Sequence, residues 1–470
     1  MADICLIYAR SSQRIVEALH DLLAKRYLVW WDQDIHSGVF RAEIERELGQ
    51  AKCVIPVWCQ ASRDNQNVLD EAQFAKEKGV PLLPVRIEPT AFPIGFGGFH
   101  TVDLIGWKGD PEDERIQTLL RSVENTLLDR PWKTKVSDRT VTLPAFFRSV
   151  SSHETAVQPA AAVHALKLVG CEALLVSAYD IVNEDSEQRD QIVADLLSCQ
   201  SAGSVVLLDS GNYEASRKKD KSWCAEQLHE TLRTTPHDLA LSFDDLDPPS
   251  DVESLVKAVV NSVKQEMKHT SSPVIPIVHA PRKSDGRTLV EIIPEAIKRV
   301  CKELRPDAVA IPERELGDGI LTRARIVYAI RRSLNELGFY QPLHLLGTGN
   351  PLSIAVFSAV GADWFDGLEW CRTVADSDTG RLYHLQQYDF FGWQSEVAAE
   401  SPIVKEAVLS KEIAYSGKVI FHNLDFFASW MKDLRTHLQS DKVERFLTDK
   451  LPLGKDSMQL LEKAVPEVFG

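Results

Sequence analysis

The chain has 470 residues, of which 44% are hydrophobic and 26% charged, and its formal net charge is -15. Such a length exceeds one ordinary core and calls for two or more domains, and the composition is that of a folded globular protein rather than a disordered or fibrous one. No apolar run approaches the roughly 20 residues that cross a bilayer. The N-terminus lacks a basic segment followed by a signal-type core, which predicts a cytoplasmic location, and the acidic balance opposes nonspecific binding to phosphate backbones.

In chain order, Asp3 to Arg10 reads as a buried strand with a polar exit. A helix follows, with Ile15, Leu19, Leu22 and Leu23 apolar at helical spacing. Tyr27 to Trp31 predicts a second strand, Lys52 to Cys59 a third with Val54, Ile55 and Val57 favouring extended backbone, and Gly79 to Val85 a fourth. The stretch holding Phe99, Val102 and Leu104 is a weaker edge strand. Strands alternating with helices predict an α/β domain with a parallel, doubly wound sheet over residues 1–130. Its ligand would gather at the strand ends Tyr8 to Ser11, Trp31 to Gly38 and Trp58 to Ser62.

Pro131-Trp132-Lys133-Thr134-Lys135 opens an expected linker over 131–139, and a second domain is predicted over 140–470, beginning near Thr140 to Pro144. Its strand candidates are Ala173–Val176, Val205–Leu208, Leu239–Phe243, Val274–Val278, Ala308–Ile311, Leu343–Leu346 and Trp364–Phe365, with helices between them, as at Val252–Lys264 and Leu289–Leu304. From Phe426 onward the tail reads as helical and suited to docking through Trp430, Leu434, Leu438, Leu460 and Leu461.

Two carboxylates stand out. Asp209-Ser210-Gly211 ends the run Val205 to Leu208, and Phe365-Asp366-Gly367 recurs after His344-Leu345-Leu346 and Gly347-Thr348-Gly349. A carboxylate at the C-terminal end of a buried strand is where a parallel barrel keeps its chemistry, and two suggest a nucleophile and a base. On spacing alone, turn or cap residues are the favoured reading. The runs Arg217-Lys218-Lys219 and Arg323, Arg325, Arg331, Arg332 offer local positive charge, which reads first as solvated surface. The eight cysteines are scattered without CxxC pairs, with Cys5, Cys53 and Cys301 in apolar runs, as buried reduced thiols would be.

The opening strand Asp3 to Arg10, the loop Trp31-Asp32-Gln33-Asp34-Ile35-His36-Ser37-Gly38, and Val57 to Ser62 followed by Val68-Leu69-Asp70-Glu71-Ala72 together resemble a bacterial TIR domain, a flavodoxin-like fold. Many members cleave NAD+ between nicotinamide and ribose. The resemblance implies Glu71 as the catalytic carboxylate, with Tyr8, Arg10, Trp31, Asp32, Phe40, Trp58 and Ser62 around NAD+ as substrate. It also implies self-association, with the loop from Asp32 to Phe40 reaching into a neighbouring copy. Asp70 adjoins Glu71, and one helical step of about 100° lets only one of them face a cleft. By composition, Trp31 and Trp58 read equally as core, and Glu71 as a helix N-terminal acid.

Asp209-Ser210-Gly211-Asn212-Tyr213, Phe243-Asp244-Asp245, Leu346-Gly347-Thr348-Gly349-Asn350-Pro351 with Gly361 to Asp366, and Gly417 to Asn423 resemble, in order, four motifs of the tRNA-guanine transglycosylases. This likeness implies a (β/α)8 TIM-type barrel with Asp366 as nucleophile at ribose C1′, Asp209 as general base and Asp244 holding the edge of a purine-like base. Ser210, His279, Glu313, Gly347 and Gly349 would complete the base pocket. The chain departs from that family in three places. The Cys-x-Cys-x-x-Cys…His zinc cluster is missing after Cys371, so no zinc is expected; Pro312-Glu313 replaces a glycine pair; and His279-Ala280-Pro281 replaces Gln-Gly-Gly.

Three functions are consistent with these features. One is a TIR effector that hydrolyses NAD+, suited to antiphage defence, whose barrel senses or modifies a nucleobase-bearing or nucleic-acid ligand. Another is a base-exchange enzyme with the TIR domain as an oligomerisation or regulatory module. The third is a scaffold with both sites vestigial. The retained Glu71 weighs against the scaffold; the missing zinc ligands and altered base pocket weigh against an ordinary exchange enzyme, which the retained Asp209 and Asp366 keep open; the first is therefore favoured.

Overall fold

The structure is a computed structural model and describes all residues except 1, 26, 32–39, 79, 98, 100, 129, 138, 154, 284, 338, 441 and 470. Residues 1–130 form one unit and nearly all of 131–470 a second.

In the first unit, β1 (Ile4–Ile7), β2 (Val29–Trp30), β3 (Cys53–Trp58), β4 (Val85–Arg86) and β5 (Val102–Asp103) make a parallel sheet in the order β2-β1-β3-β4-β5. β1 and β3 are buried at every position, as expected where helices cover both faces of a parallel sheet. The two-residue period sorts their side chains. Ile4, Leu6, Cys53, Ile55 and Val57 pack with Val16, Leu19 and Leu23 of helix Gln13–Leu23 on one face. Cys5, Ile7, Val54 and Trp58 pack with Val68, Ala72 and Ala75 of helix Gln66–Glu77 on the other. The fourth strand is far shorter than the run Gly79 to Val85 predicts. Pro81 and Pro84 carry no N–H to donate, so pairing is confined to a bridge between Val54 and Leu82 and to the two residues Val85–Arg86.

The second unit opens with an antiparallel hairpin, β6 (Lys133–Val136) and β7 (Arg139–Thr142). The 131–139 segment is therefore not a linker. Val136, Val141 and Leu143 are buried with Phe147, Leu207 and Trp364, so the hairpin plugs one end of the barrel. The barrel's first strand, β8 (Ala145–Val150), lies past the expected start at Thr140. It is followed by β9 (Ala173–Ser177), β10 (Val205–Asp209), β11 (Leu239–Leu241), β12 (Val274–Ile275), β13 (Val309–Pro312), β14 (Leu343–Leu346) and β15 (Trp364–Gly367). All neighbours pair in parallel, in the order β12-β11-β10-β9-β8-β15-β14-β13. The ring closes where Val278 N donates to Ala310 O at 2.9 Å and Ala310 N to Pro276 O at 2.9 Å.

An ion pair sits inside this wall. Asp363 is fully buried, and its Oδ2 accepts from Arg331 Nη2 at 2.7 Å and from the Leu343 amide at 2.9 Å. Arg331 also donates to the Gly361 and Gln341 carbonyls. Gly361, at φ +107°, has no room for a Cβ because Arg331 Cγ would lie 2.5 Å away. The Gly361-Ala362-Asp363 triplet thus fixes a buried arginine, and Arg331 is no part of a solvated basic face. Its neighbour Arg323 pairs with Glu313 at 2.7 Å.

The C-terminal helices are Tyr415–Gln439, Val443–Asp449, Lys455–Ala464 and Pro466–Phe469. Trp430, Leu434 and Leu461 are buried, as expected, whereas Leu460 is exposed. His422 and Asn423 of the long helix grip the chain just beyond β15. His422 Nε2 lies 2.7 Å from Ala375 O, and Asn423 bonds the backbone of Trp370, Thr373 and Ala375. Among the described residues no group of three His, Cys, Asp or Glu side chains is placed to hold a metal ion.

Candidate functional site

The barrel interior follows the two-residue period of its strands. Ala145 and Phe147 on β8, Val205 and Leu207 on β10, and Trp364 on β15 point inward and form an apolar plug. The next inward position on each strand is polar: Ser149, Asp209 and Asp366. These three, with Ser210, Tyr213, Glu214, Asp244, His279, Gly347 and Glu369 among others, line a cavity of about 260 Å³ at the C-terminal end of the strands. Parallel barrels place ligands at this end.

Asp366 is oriented by three donors. Ser149 Oγ donates to Oδ2 at 3.0 Å, the Gly347 amide to Oδ1 at 3.0 Å, and His344 Nε2 lies 3.1 Å from Oδ1. His344 is fully buried and stacks on Phe147, and its Nδ1 has no hydrogen-bond partner among the described residues. This pattern fits an imidazole donating from Nε2 to the carboxylate.

Asp209 occupies a different environment. The Gly211 amide donates to its Oδ2 at 2.9 Å. Loss of water, then the nearby Glu214 and Asp244 charges, lift its carboxyl well above the ordinary carboxylate range. Gly211 has φ +77°, and a Cβ there would lie 2.5 Å from the Tyr179 amide, so only glycine closes this turn.

Asp244 is held at both oxygens, by Ser210 Oγ at 2.8 Å and by His279 Nε2 at 2.8 Å. His279 Nδ1 lies 2.9 Å from Glu315 Oε1, and the Ala280 amide donates to Glu315 Oε2. Burial alone would push the imidazole down, but the two carboxylates outweigh it and carry the pKa up to about 9. An unfolded histidine titrates near 6.5. The contribution to stability is therefore whole below about 6.5 and is lost as the pH rises through about 9. Urea unfolding followed between about pH 6 and about pH 9.5 should show the barrel weakening with pH, and His279→Gln should flatten that slope. A wild-type slope that the variant keeps would mean the imidazole is not protonated in the fold.

Of the expected base-pocket residues, Ser210, Asp244, His279 and Gly347 line the cavity. Glu313 does not: Arg323 draws it aside, and Glu315 is the carboxylate that backs the site. Gly349 is also outside the lining. A Cβ on it would strike Glu369 Oε2 and sit 3.2 Å from Gly367 Cα, so its role is the close approach of two strand ends. Sequence reasoning passed over Ser149, Glu214, Glu315 and His344 as site residues. For Ser149 and His344 the signal existed: each is a polar residue at an inward position of an apolar strand.

In the first unit, Glu71 is half-buried in the second turn of helix Gln66–Glu77, on the face of Val68 and Ala75. Asp70 instead faces a groove lined by Arg63, Gln66, Phe92 and Phe96 and accepts from Gln66 Nε2 at 2.7 Å. Tyr8 is half-buried and Arg10 exposed. Two tryptophans belong to the core. Trp58 is fully buried against Phe96, and Trp31 is 7% exposed and stacks on His20 at 4.6 Å, so neither offers a free ring face for a nicotinamide. Ser62 is a helix cap, its Oγ donating to Cys59 O and accepting from Cys59 N. Asp32 and the loop to Gly38 lie outside the described residues, as does the side chain of Phe40.

Comparison with known proteins agrees with this division. Residues 4–120 match the TIR domain family model. The rest is similar to the tRNA-guanine(15) transglycosylase of Haloarcula marismortui, 23% identical over 246 residues, which is 50% of this chain and 48% of that protein. It is likewise similar to the tRNA-guanine(15) transglycosylase of Haloferax volcanii, 22% identical over 275 residues, 56% of this chain and 50% of that one. The chain spans about half the length of these curated relatives. Fold, motif order and similarity agree that the chain carries a TIR domain at residues 4–120, followed by a barrel homologous to the tRNA-guanine transglycosylases.

Proposed function

We propose that the TIR domain hydrolyses the nicotinamide–ribose bond of NAD+ and that the barrel senses or modifies a nucleobase-bearing ligand. The observation that carries this reading is the convergence of Asp209, Asp244 and Asp366, from three separate strand ends, on one cavity. At about 260 Å³ the cavity lies at the small end of ligand pockets, which suits a single base with its sugar at the mouth. Tyr213 presents a ring at that mouth, with the Arg314 guanidinium 4.5 Å above it, a surface on which a base can stack.

In the TIR domain, Glu71 would stabilise the cationic ribose as the nicotinamide–ribose bond breaks, and water would then take the C1′ position. Its helix follows β3 after the single turn Gln60–Arg63, on the side of the sheet where the strands end and open α/β folds bind ligands. Self-association through TIR domains would complete this site, so specific activity should fall on dilution. NAD+ depletion of this kind suits antiphage defence, with phage or cellular nucleic acid as the barrel's trigger.

A second reading is base exchange on nucleic acid. What favours it is Asp209, raised so that it can hold a proton, beside an Asp366 aligned by three donors. A pure sensor needs neither. Incubation with NAD+, with and without cellular or phage nucleic acid, followed by mass spectrometry, separates the two. Nicotinamide release that rises with nucleic acid supports the effector; a base-exchanged polymer with no nicotinamide supports exchange alone.

A further inference from the structure

The helix Asn212–Lys218 that follows Asp209 carries Glu214, which lines the cavity at 8% exposure. Its Oε2 has no hydrogen-bond partner among the described residues. A buried carboxylate oxygen beside other acids is costly to leave ionised and unpaired. We propose that Glu214 is a specificity-determining residue of the barrel pocket, whose carboxyl group donates a hydrogen bond to an acceptor atom, a carbonyl oxygen or ring nitrogen, of a bound purine base. The inference rests on the nucleobase reading of the barrel and adds a recognition group to it.

The surroundings favour the protonated form. Burial, then the Asp180 charge, lift Glu214 to about 7, while the Ser151 and Ser177 hydroxyls act in the opposite direction. The charged groups around it come from every side of the pocket. Asp209 is on its own strand end. Asp180, on helix Ala178–Asn183, is bonded by Ser152 and lies 3.7 Å from Lys218 Nζ. Asp366 and the ion-paired Glu369 and Arg372 line the other side of the cavity, and Arg314 lies over Tyr213. Asp244, by contrast, already has both oxygens engaged by Ser210 and His279. Recognition of the base therefore passes in part to a neutral acid, which donates where an ionised carboxylate would only accept.

The sign of the pH effect follows. Below about 7 the acid donates; above it, the proton is gone and the new charge faces the acceptor. Guanine binding to the full chain, measured by calorimetry, should weaken about tenfold between about pH 6 and about pH 8. Glu214→Gln keeps an N–H donor at every pH, so its affinity should stay near the wild-type value at about pH 6 and lose the pH dependence. Glu214→Ala should bind about tenfold more weakly at both. Equal pH dependence in wild type and Glu214→Gln would overturn the assignment while leaving the pocket reading intact. No guanine binding by wild type at either pH would overturn both. As a ligand-free check, infrared difference spectra across this range should contain a protonated-carboxyl band that Glu214→Gln lacks, and a band unchanged in the variant would also overturn it.

Discussion

Replacing Glu71 by glutamine should lower NAD+ turnover by about 10²–10³-fold, the scale on which loss of one preorganised electrostatic group is felt. Glutamine keeps the volume and the helical backbone but carries no charge to set against the sugar cation. Glu71 is half-buried, and helix Gln66–Glu77 is anchored by Val68, Ala72 and Ala75, which the substitution leaves alone. The melting temperature should therefore stay within about a degree or two. Asp70→Asn is the matched control: its side chain faces the outer groove and bonds Gln66, so turnover should hold. Nicotinamide release followed by chromatography, with thermal unfolding alongside, checks each. Undiminished release by the Glu71 variant, or loss in the Asp70 variant instead, would move the carboxylate by one residue or remove it.

That pair also shows how far the sequence carries. Two neighbouring acids on one helix differ by about 100° of rotation, and apolar periodicity around them sets which faces inward. In the barrel, the end of an apolar run and the motif resemblance singled out Asp209 and Asp366, and both line the cavity. Sequence pattern failed where apolar and aromatic residues serve either a core or a ligand. Trp31 and Trp58 have the composition of a stacking site, yet the alternation of β3 sends Trp58 into the layer beneath helix Gln66–Glu77. Residues 131–139 read as linker because Lys133, Lys135 and Arg139 give them a solvated composition, although Val136 reaches the plug beside Val141. Glu313 and Glu315 sit two residues apart in one short helical turn, and the partner, Arg323 or His279, decides which enters the site. That choice depends on residues distant in sequence, and no local pattern encodes it.

Asp366→Asn should abolish any covalent link between the barrel and a ribose, and lower base exchange by about 10³-fold or more, as removal of a nucleophile does elsewhere. Under the exchange reading, an Asp366 oxygen would attack C1′ as the C1′–N bond breaks. The departing base would keep the electron pair and take a proton from Asp209; the incoming base would return a proton to Asp209 as its nitrogen displaced the carboxylate. Asp209 suits both halves because burial and the Asp244 charge raise its proton affinity. Asp209→Asn should thus lower exchange by about 10²–10⁴-fold yet still permit an adduct with a base that leaves unaided. His344→Ala removes one of three groups aligning the nucleophile, so a smaller loss, about tenfold, is expected. Labelled guanine offered with cellular RNA or DNA, followed by scintillation counting of the polymer and intact-protein mass, reads all three. If wild type incorporates no label and forms no adduct, the barrel is a sensor. The Asp366 variant should then change only the dependence of NAD+ loss on nucleic acid. If that dependence is also unmoved, the aspartate cluster has no part in either reaction.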